Sequence, residues 1–115
     1  MTIERIDPGV RMSEAVGYGN LVFLAGHVSE LEGASVAEQT RDVLDQIDAH
    51  LAAAGTDKSK LLTVQIWLTD IGTWAEMNTA WDAWVDRANP PARATVEAKL
   101  AHPQYRIEIS AVAAR

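Results

Sequence analysis

The stretch Pro90-Pro91-Ala92-Arg93-Ala94-Thr95-Val96-Glu97-Ala98-Lys99-Leu100 organises the reading of the whole chain. Two prolines close off the segment before them, because proline disfavours helix in the preceding residue and cannot continue one. Beyond them polar and apolar residues alternate. Arg93, Thr95, Glu97 and Lys99 share one side, and Ala94, Val96, Ala98 and Leu100 the other. This predicts a half-buried strand with an arginine at its mouth. A second alternating run follows, with Tyr105, Ile107, Ile109, Ala111 and Ala113 opposed to Gln104, Arg106, Glu108 and Ser110. If the two strands pair antiparallel, Arg93 and Glu108 share the polar face. That cationic and anionic pair is the candidate working site.

Outward from this pair, the rest of the chain reads as a platform. Thr2 to Asp7 is a short strand ended by Pro8-Gly9, and Arg11 to Glu14 is a polar loop. Ala15-Val16 leads through the turn Gly17-Tyr18-Gly19-Asn20 into Leu21 to Ala25, a predicted hairpin. The second run is apolar on both sides. A loop opens at Gly26-His27-Val28-Ser29. Ser35 and Glu38 have capping-box spacing, and Thr40, Leu44, Ile47, Leu51 and Ala54 recur at helical spacing until Gly55. Arg41, Asp42, Asp45, Asp48 and His50 form that helix's outer side. Leu61 to Thr69 is a third clear strand. Thr73 starts a second helix, with Glu76 three residues on and an apolar stripe of Trp74, Met77, Trp81 and Trp84.

The order is therefore β-β-β-α-β-α-β-β, an α+β chain of one domain spanning residues 1–115. A single, mostly antiparallel mixed sheet with both helices on one face is its simplest packing. The opposite face then carries Leu21, Phe23, Ala25 and Trp67 beside Arg93, Thr95 and Glu108. Phe and Trp on a bare sheet face are sticky, so further copies of the chain are expected to cover it. A site there lies at a subunit boundary, where a shielded arginine binds a small anion strongly.

Composition narrows the function. Of 115 residues, 48% are apolar and 23% charged, as in a packed globular protein rather than a disordered one. No apolar run approaches the roughly 20 residues of a membrane helix, and the first residues lack a secretory pattern. Cysteine is absent, which excludes disulfides, thiolate metal sites and cysteine nucleophiles. These features predict a soluble cytoplasmic protein. The net charge of −6, with scattered lysines and arginines, argues against nucleic acid as a partner. The three histidines show no metal-ligand spacing, so no metal is expected. His50 and His102 read as surface residues. His27 reads as a loop residue, or else as an acid, a base or a ligand donor. Trp74, Trp81 and Trp84 read as core, and Asn78 beside them as an anchor that holds a loop by hydrogen bonds.

Five pieces together resemble the RidA/YjgF family of reactive-intermediate enamine/imine deaminases, and most closely its YoaB-like branch. They are Gly19 to Gly26, Glu38-Gln39-Thr40, Trp74 to Asn78, Pro91 to Val96, and Arg106-Ile107-Glu108-Ile109. The resemblance implies a chorismate-mutase-like fold and a homotrimer with clefts between subunits. It implies cofactor-free hydrolysis of 2-aminoacrylate-like imines to 2-keto acids and ammonia. Arg93 would then hold the substrate carboxylate in a two-pronged contact and Glu108 would orient and partly deprotonate the attacking water. The backbone at Gly26 and Thr95 would fix the nitrogen end. Met12 stands where the better-studied branch has tyrosine, Ala25-Gly26-His27 where it has Ser-Gly-Gln, and Thr95 where it often has cysteine. Met12 and His27 thus join the implied pocket wall. A non-catalytic trimer that binds small carboxylates such as keto acids is the alternative, and a ribonuclease ranks last.

Overall fold

The computed structural model describes residues 1–115. Its strands are β1 (Ile3–Pro8), β2 (Ser13–Tyr18), β3 (Leu21–Leu24), β4 (His27–Val28), β5 (Leu61–Leu68), β6 (Ala92–Glu97) and β7 (Ile107–Ala114). Its helices are α1 (Val36–Ala53), between β4 and β5, and α2 (Trp74–Trp84), between β5 and β6. The strands form one sheet in the order β1-β2-β3-β7-β5-β6, and the short β4 pairs with β7. Every pairing is antiparallel except β5 with β6.

Local chemistry places both ends of α1. The Ser35 hydroxyl accepts from the Glu38 N–H at 3.1 Å, and the Glu38 carboxylate accepts from the Ser35 N–H at 3.1 Å, a complete capping box. At the other end Gly55 adopts φ 82°. The Gly55 N–H donates to the Ala52 carbonyl, and that of Thr56 to Leu51, which closes the helix as a Schellman motif. The start of α2 departs from expectation. Thr73 makes no side-chain cap, and a 3₁₀ turn over Ile71–Thr73 leads into the helix. Glu76 instead accepts the Ala37 N–H at 2.9 Å, tying α2 to the N-terminus of α1.

Both helices lie on one face of the sheet, as predicted. Leu44, Ile47 and Leu51 of α1 and Met77 and Trp81 of α2 share one core with Val22, Val64, Ile66, Leu68, Ile107 and Ile109. Trp74 is the exception in the helical stripe: it is 49% exposed. The polar loop expected over Arg11 to Glu14 ends sooner, because β2 already starts at Ser13. His27 and Val28, expected in a loop, form β4 against Ile109 and Glu108.

The edge of the sheet overturns the expected strand pairing. β6 does not neighbour β7; β5 lies between them and pairs with both. The chain crosses from β5 to β6 through α2, and such a crossover returns it parallel to the strand it left. The register sets Arg93 beside Val64 and Thr95 beside Ile66. Both side chains therefore face the helices. Glu108 lies beside Trp67 and faces the open side. Val96, expected inside, is 44% exposed on that open side. Alternation shows which residues share a face, but on an edge strand it does not say which face turns inward.

Candidate functional site

Arg93 enters just after the double proline, at the start of an edge strand, and leans across α2. Its Nη1 donates to the Asn78 side-chain oxygen at 2.8 Å, and its guanidinium carbon sits 5.1 Å from the centre of the Trp81 ring. Desolvation pulls its pKa below the ordinary arginine value, and the charge of Asp82 opposes that shift. No carboxylate lies within 4.0 Å; Glu4 pairs with Arg115, and Glu14 lies within 4.0 Å of the His27 and His50 rings. Thr95, on the same face, has a buried hydroxyl with no hydrogen-bond partner. A planar cation, held by a neutral amide and an aromatic ring, thus keeps most of its N–H groups free.

Glu108 occupies the other face, near the start of β7. The chain breaks step between β3 and β4 at Ala25-Gly26, and the Glu108 side chain packs into the gap. A Cβ added at Gly26 would land on Glu108 Oε2. Only glycine lets the carboxylate lie there. Glu108 also has no cation within 4.0 Å. Tyr105, buried nearby, donates its phenol proton to Glu30 at 2.7 Å. That hydrogen bond, with burial and the charges of Glu30 and Glu108, raises the phenol's pKa.

The sequence-derived residues thus form two groups. Arg93 and Thr95 meet Asn78 and Trp81 on the helix face, while Gly26 and Glu108 meet on the open face. Within one chain the predicted Arg93–Glu108 face does not exist. Met12 lines an open hollow formed by the turn from Asp7 to Met12 and by Glu14, to which neither Arg93 nor Glu108 contributes. His27 is 4% exposed and stacks on His50, with ring centres 4.4 Å apart. His50 is therefore no free surface residue: the last turn of α1 tucks it over β4. Glu14 completes a cluster with these two histidines, which residue spacing along the chain did not reveal.

Asn78, expected to anchor a loop, forms a hydrogen bond as expected but to Arg93 on β6. That partner was not legible, since Arg93 was assigned to the opposite face.

A family model described as Endoribonuclease L-PSP matches residues 2–115. A RutC family protein of Haemophilus influenzae is 51% identical, covering 98% of each chain. The RutC family protein YoaB of Escherichia coli is 45% identical, covering 99% of each. The chain belongs to the RidA/YjgF family. Its YoaB-like character follows from the same identities. A YjgF-family structure from Neisseria meningitidis superposes with a TM-score of 0.97 at 50% identity, covering 100% of this chain and 96% of that one. The α+β, chorismate-mutase-like architecture of the YjgF family is therefore the architecture here. As for the membrane, no helix is long and apolar enough to cross one.

Proposed function

We propose that the protein hydrolyses reactive 2-imino and enamine acids to 2-keto acids and ammonia, at clefts between the subunits of a homotrimer in the cytoplasm. One observation carries this reading: Arg93 is a half-buried guanidinium with no carboxylate partner. Burying a cation without a counter-charge is costly. A small anion offsets that cost, and a planar carboxylate matches the guanidinium fork. The unpartnered Thr95 hydroxyl offers a further hydrogen bond from the same face.

In this mechanism Arg93 seats the substrate carboxylate, with Asn78 and Trp81 fixing its plane. Glu108 accepts a proton from water while the water oxygen bonds to the imine carbon. Glu108 passes that proton to the nitrogen, giving a carbinolamine; as the C–N bond breaks, the hydroxyl proton also moves to the nitrogen, which leaves as ammonia while the oxygen becomes the keto group. The imine carbon is already electrophilic, so positioning and one proton acceptor suffice. Arg93 and Glu108 project from opposite faces of one sheet. A cleft that uses both therefore takes Glu108 from one subunit and Arg93 from a neighbouring copy, which packs on the open face over Leu21, Phe23 and Val96 and excludes water. Gly26 lines the wall at Glu108, whereas Met12 sits in a separate hollow and the His27 ring is buried toward α1.

The separation of Arg93 from Glu108 favours a second reading, a trimer that binds small carboxylates without turning them over. The two differ in one assay. A flavin amino-acid oxidase generates imines in situ, and the purified protein is added. The deaminase reading requires keto acid to appear faster than with buffer, and Glu108→Gln to abolish the gain. Stabilisation by keto acids with no such gain would leave only the binding reading. A ribonuclease fits poorly with a net charge of −6 and no basic cluster.

A further inference from the structure

The cluster beneath β4 uses none of the groups in this mechanism. Three elements meet there: Glu14 from β2, His27 from β4 and His50 from the last turn of α1. Glu14 Oε2 lies 3.5 Å from His27 Nδ1 and 4.0 Å from His50 Nε2. One ligand atom from each residue falls within 4.8 Å of the others. Donors around a first-row ion, with bonds of about 2.0–2.2 Å, lie roughly 3–3.5 Å apart. The widest gap exceeds a bound geometry by roughly 1.5 Å, and closing it requires the partly exposed His50 ring to turn out of its stack on His27 and the Glu14 side chain to rotate inward.

The state of His27 is the second, independent observation. Its ring is buried, and Nε2 has no hydrogen-bond partner. A neutral imidazole carries one N–H and one lone pair. With the proton on Nε2, the Nδ1 lone pair faces the Glu14 carboxylate, acceptor against acceptor. With the proton on Nδ1, the carboxylate at 3.5 Å is too distant for a good hydrogen bond, and the Glu14 backbone is the acceptor left to it. A cation between Nδ1, the carboxylate and His50 Nε2 would take up the Nδ1 lone pair that otherwise faces the carboxylate, with the ring proton on Nε2.

We propose that Glu14, His27 and His50 form a binding site for one divalent first-row transition-metal ion. Two imidazoles and a carboxylate suit zinc, nickel, copper, cobalt or ferrous iron, whereas magnesium and calcium require more oxygen ligands. The remaining coordination positions open to solvent past Glu14. A bound ion ties β2, β4 and the end of α1 together, one residue from the Gly26 gap that seats Glu108.

The test uses the full chain without a histidine tag, stripped with chelator and titrated with cobalt, nickel, zinc or magnesium chloride. Calorimetry is expected to show one transition ion per chain, with a raised unfolding temperature, and no effect of magnesium. Glu14→Gln and His50→Ala are each expected to weaken binding by about tenfold or more, and His102→Ala to leave it unchanged. Absence of binding to the natural chain, or equal binding by Glu14→Gln and His50→Ala, would overturn the site. A readout on the unaltered chain covers the case of a misfolded variant. Substoichiometric paramagnetic nickel should broaden the NMR signals of His27, His50 and Glu14 first. Broadening centred on His102 would contradict the proposal.

Discussion

Asn78 holds Arg93: its side-chain oxygen accepts a 2.8 Å hydrogen bond from the guanidinium, across from α2 to β6. The amide is neutral, so it fixes the arginine without quenching its charge. A carboxylate at position 78 would have made Arg93 one half of a structural ion pair. A hydrogen bond to a charged group is worth about 1.5–3 kcal/mol, and partial exposure places this one at the lower end. Asn78→Ala is therefore expected to raise KM for imino acids about tenfold, with kcat little changed. Steady-state kinetics of keto-acid release separate the two constants. Asn78→Asp is expected to be worse for binding, because it supplies the counter-charge that the substrate should provide.

Gly26 and Glu108 make the corresponding pair on the open face. Gly26→Ala places a methyl group where Glu108 Oε2 lies. The carboxylate must swing aside, and the general base leaves its position. Turnover is expected to fall by about 10²-fold, nearly as far as in Glu108→Gln, while keto-acid binding persists. Circular dichroism and thermal unfolding check that the fold survives. Full activity in Gly26→Ala would separate the glycine from the chemistry.

The open face makes a prediction about assembly. Phe23 is 43% exposed beside the exposed Leu21. A negative charge placed there is costly to bury between copies. Phe23→Asp is expected to shift the protein toward single chains in sedimentation velocity and to reduce deaminase activity with it. An unchanged sedimentation coefficient would move the interface elsewhere.

The capping box predicts a pH dependence of stability. The Ser35 N–H, followed by the Ser35 hydroxyl, holds the Glu38 carboxyl below its ordinary value. The unfolded chain then binds the proton more readily than the folded one. The contribution is present above the ordinary carboxyl range and is lost as pH falls through the folded value. Glu38→Gln is expected to be less stable than the natural chain at neutral pH and equally stable well below the carboxyl range. Urea unfolding at both conditions measures the difference.

Much of this was legible in the sequence. Ser35 with Glu38 and the glycine at 55 mark both ends of α1, because capping is local chemistry. The alternation in β5 and β7 shows their faces, since both are central strands with one side in the core, except at Leu62, which a bulge at the start of β5 turns outward while Leu61 is buried. Three features were not legible. β6 is an edge strand, so its weak alternation of alanine, threonine and valine fits either orientation, and Arg93 was set on the wrong face. Glu76 has capping-box spacing from Thr73 but is taken by the Ala37 N–H of another helix, a long-range competitor that spacing cannot reveal. The cluster of Glu14, His27 and His50 joins three elements, and no short-range spacing encodes it.

The account rests on Arg93 as the seat of a small organic acid. Isothermal titration of 2-ketobutyrate into the natural protein and into Arg93→Ala tests this most directly. The account predicts saturable binding to the natural chain, one acid per chain, and its loss in Arg93→Ala while the assembly stays intact. Equal binding by both proteins would contradict it.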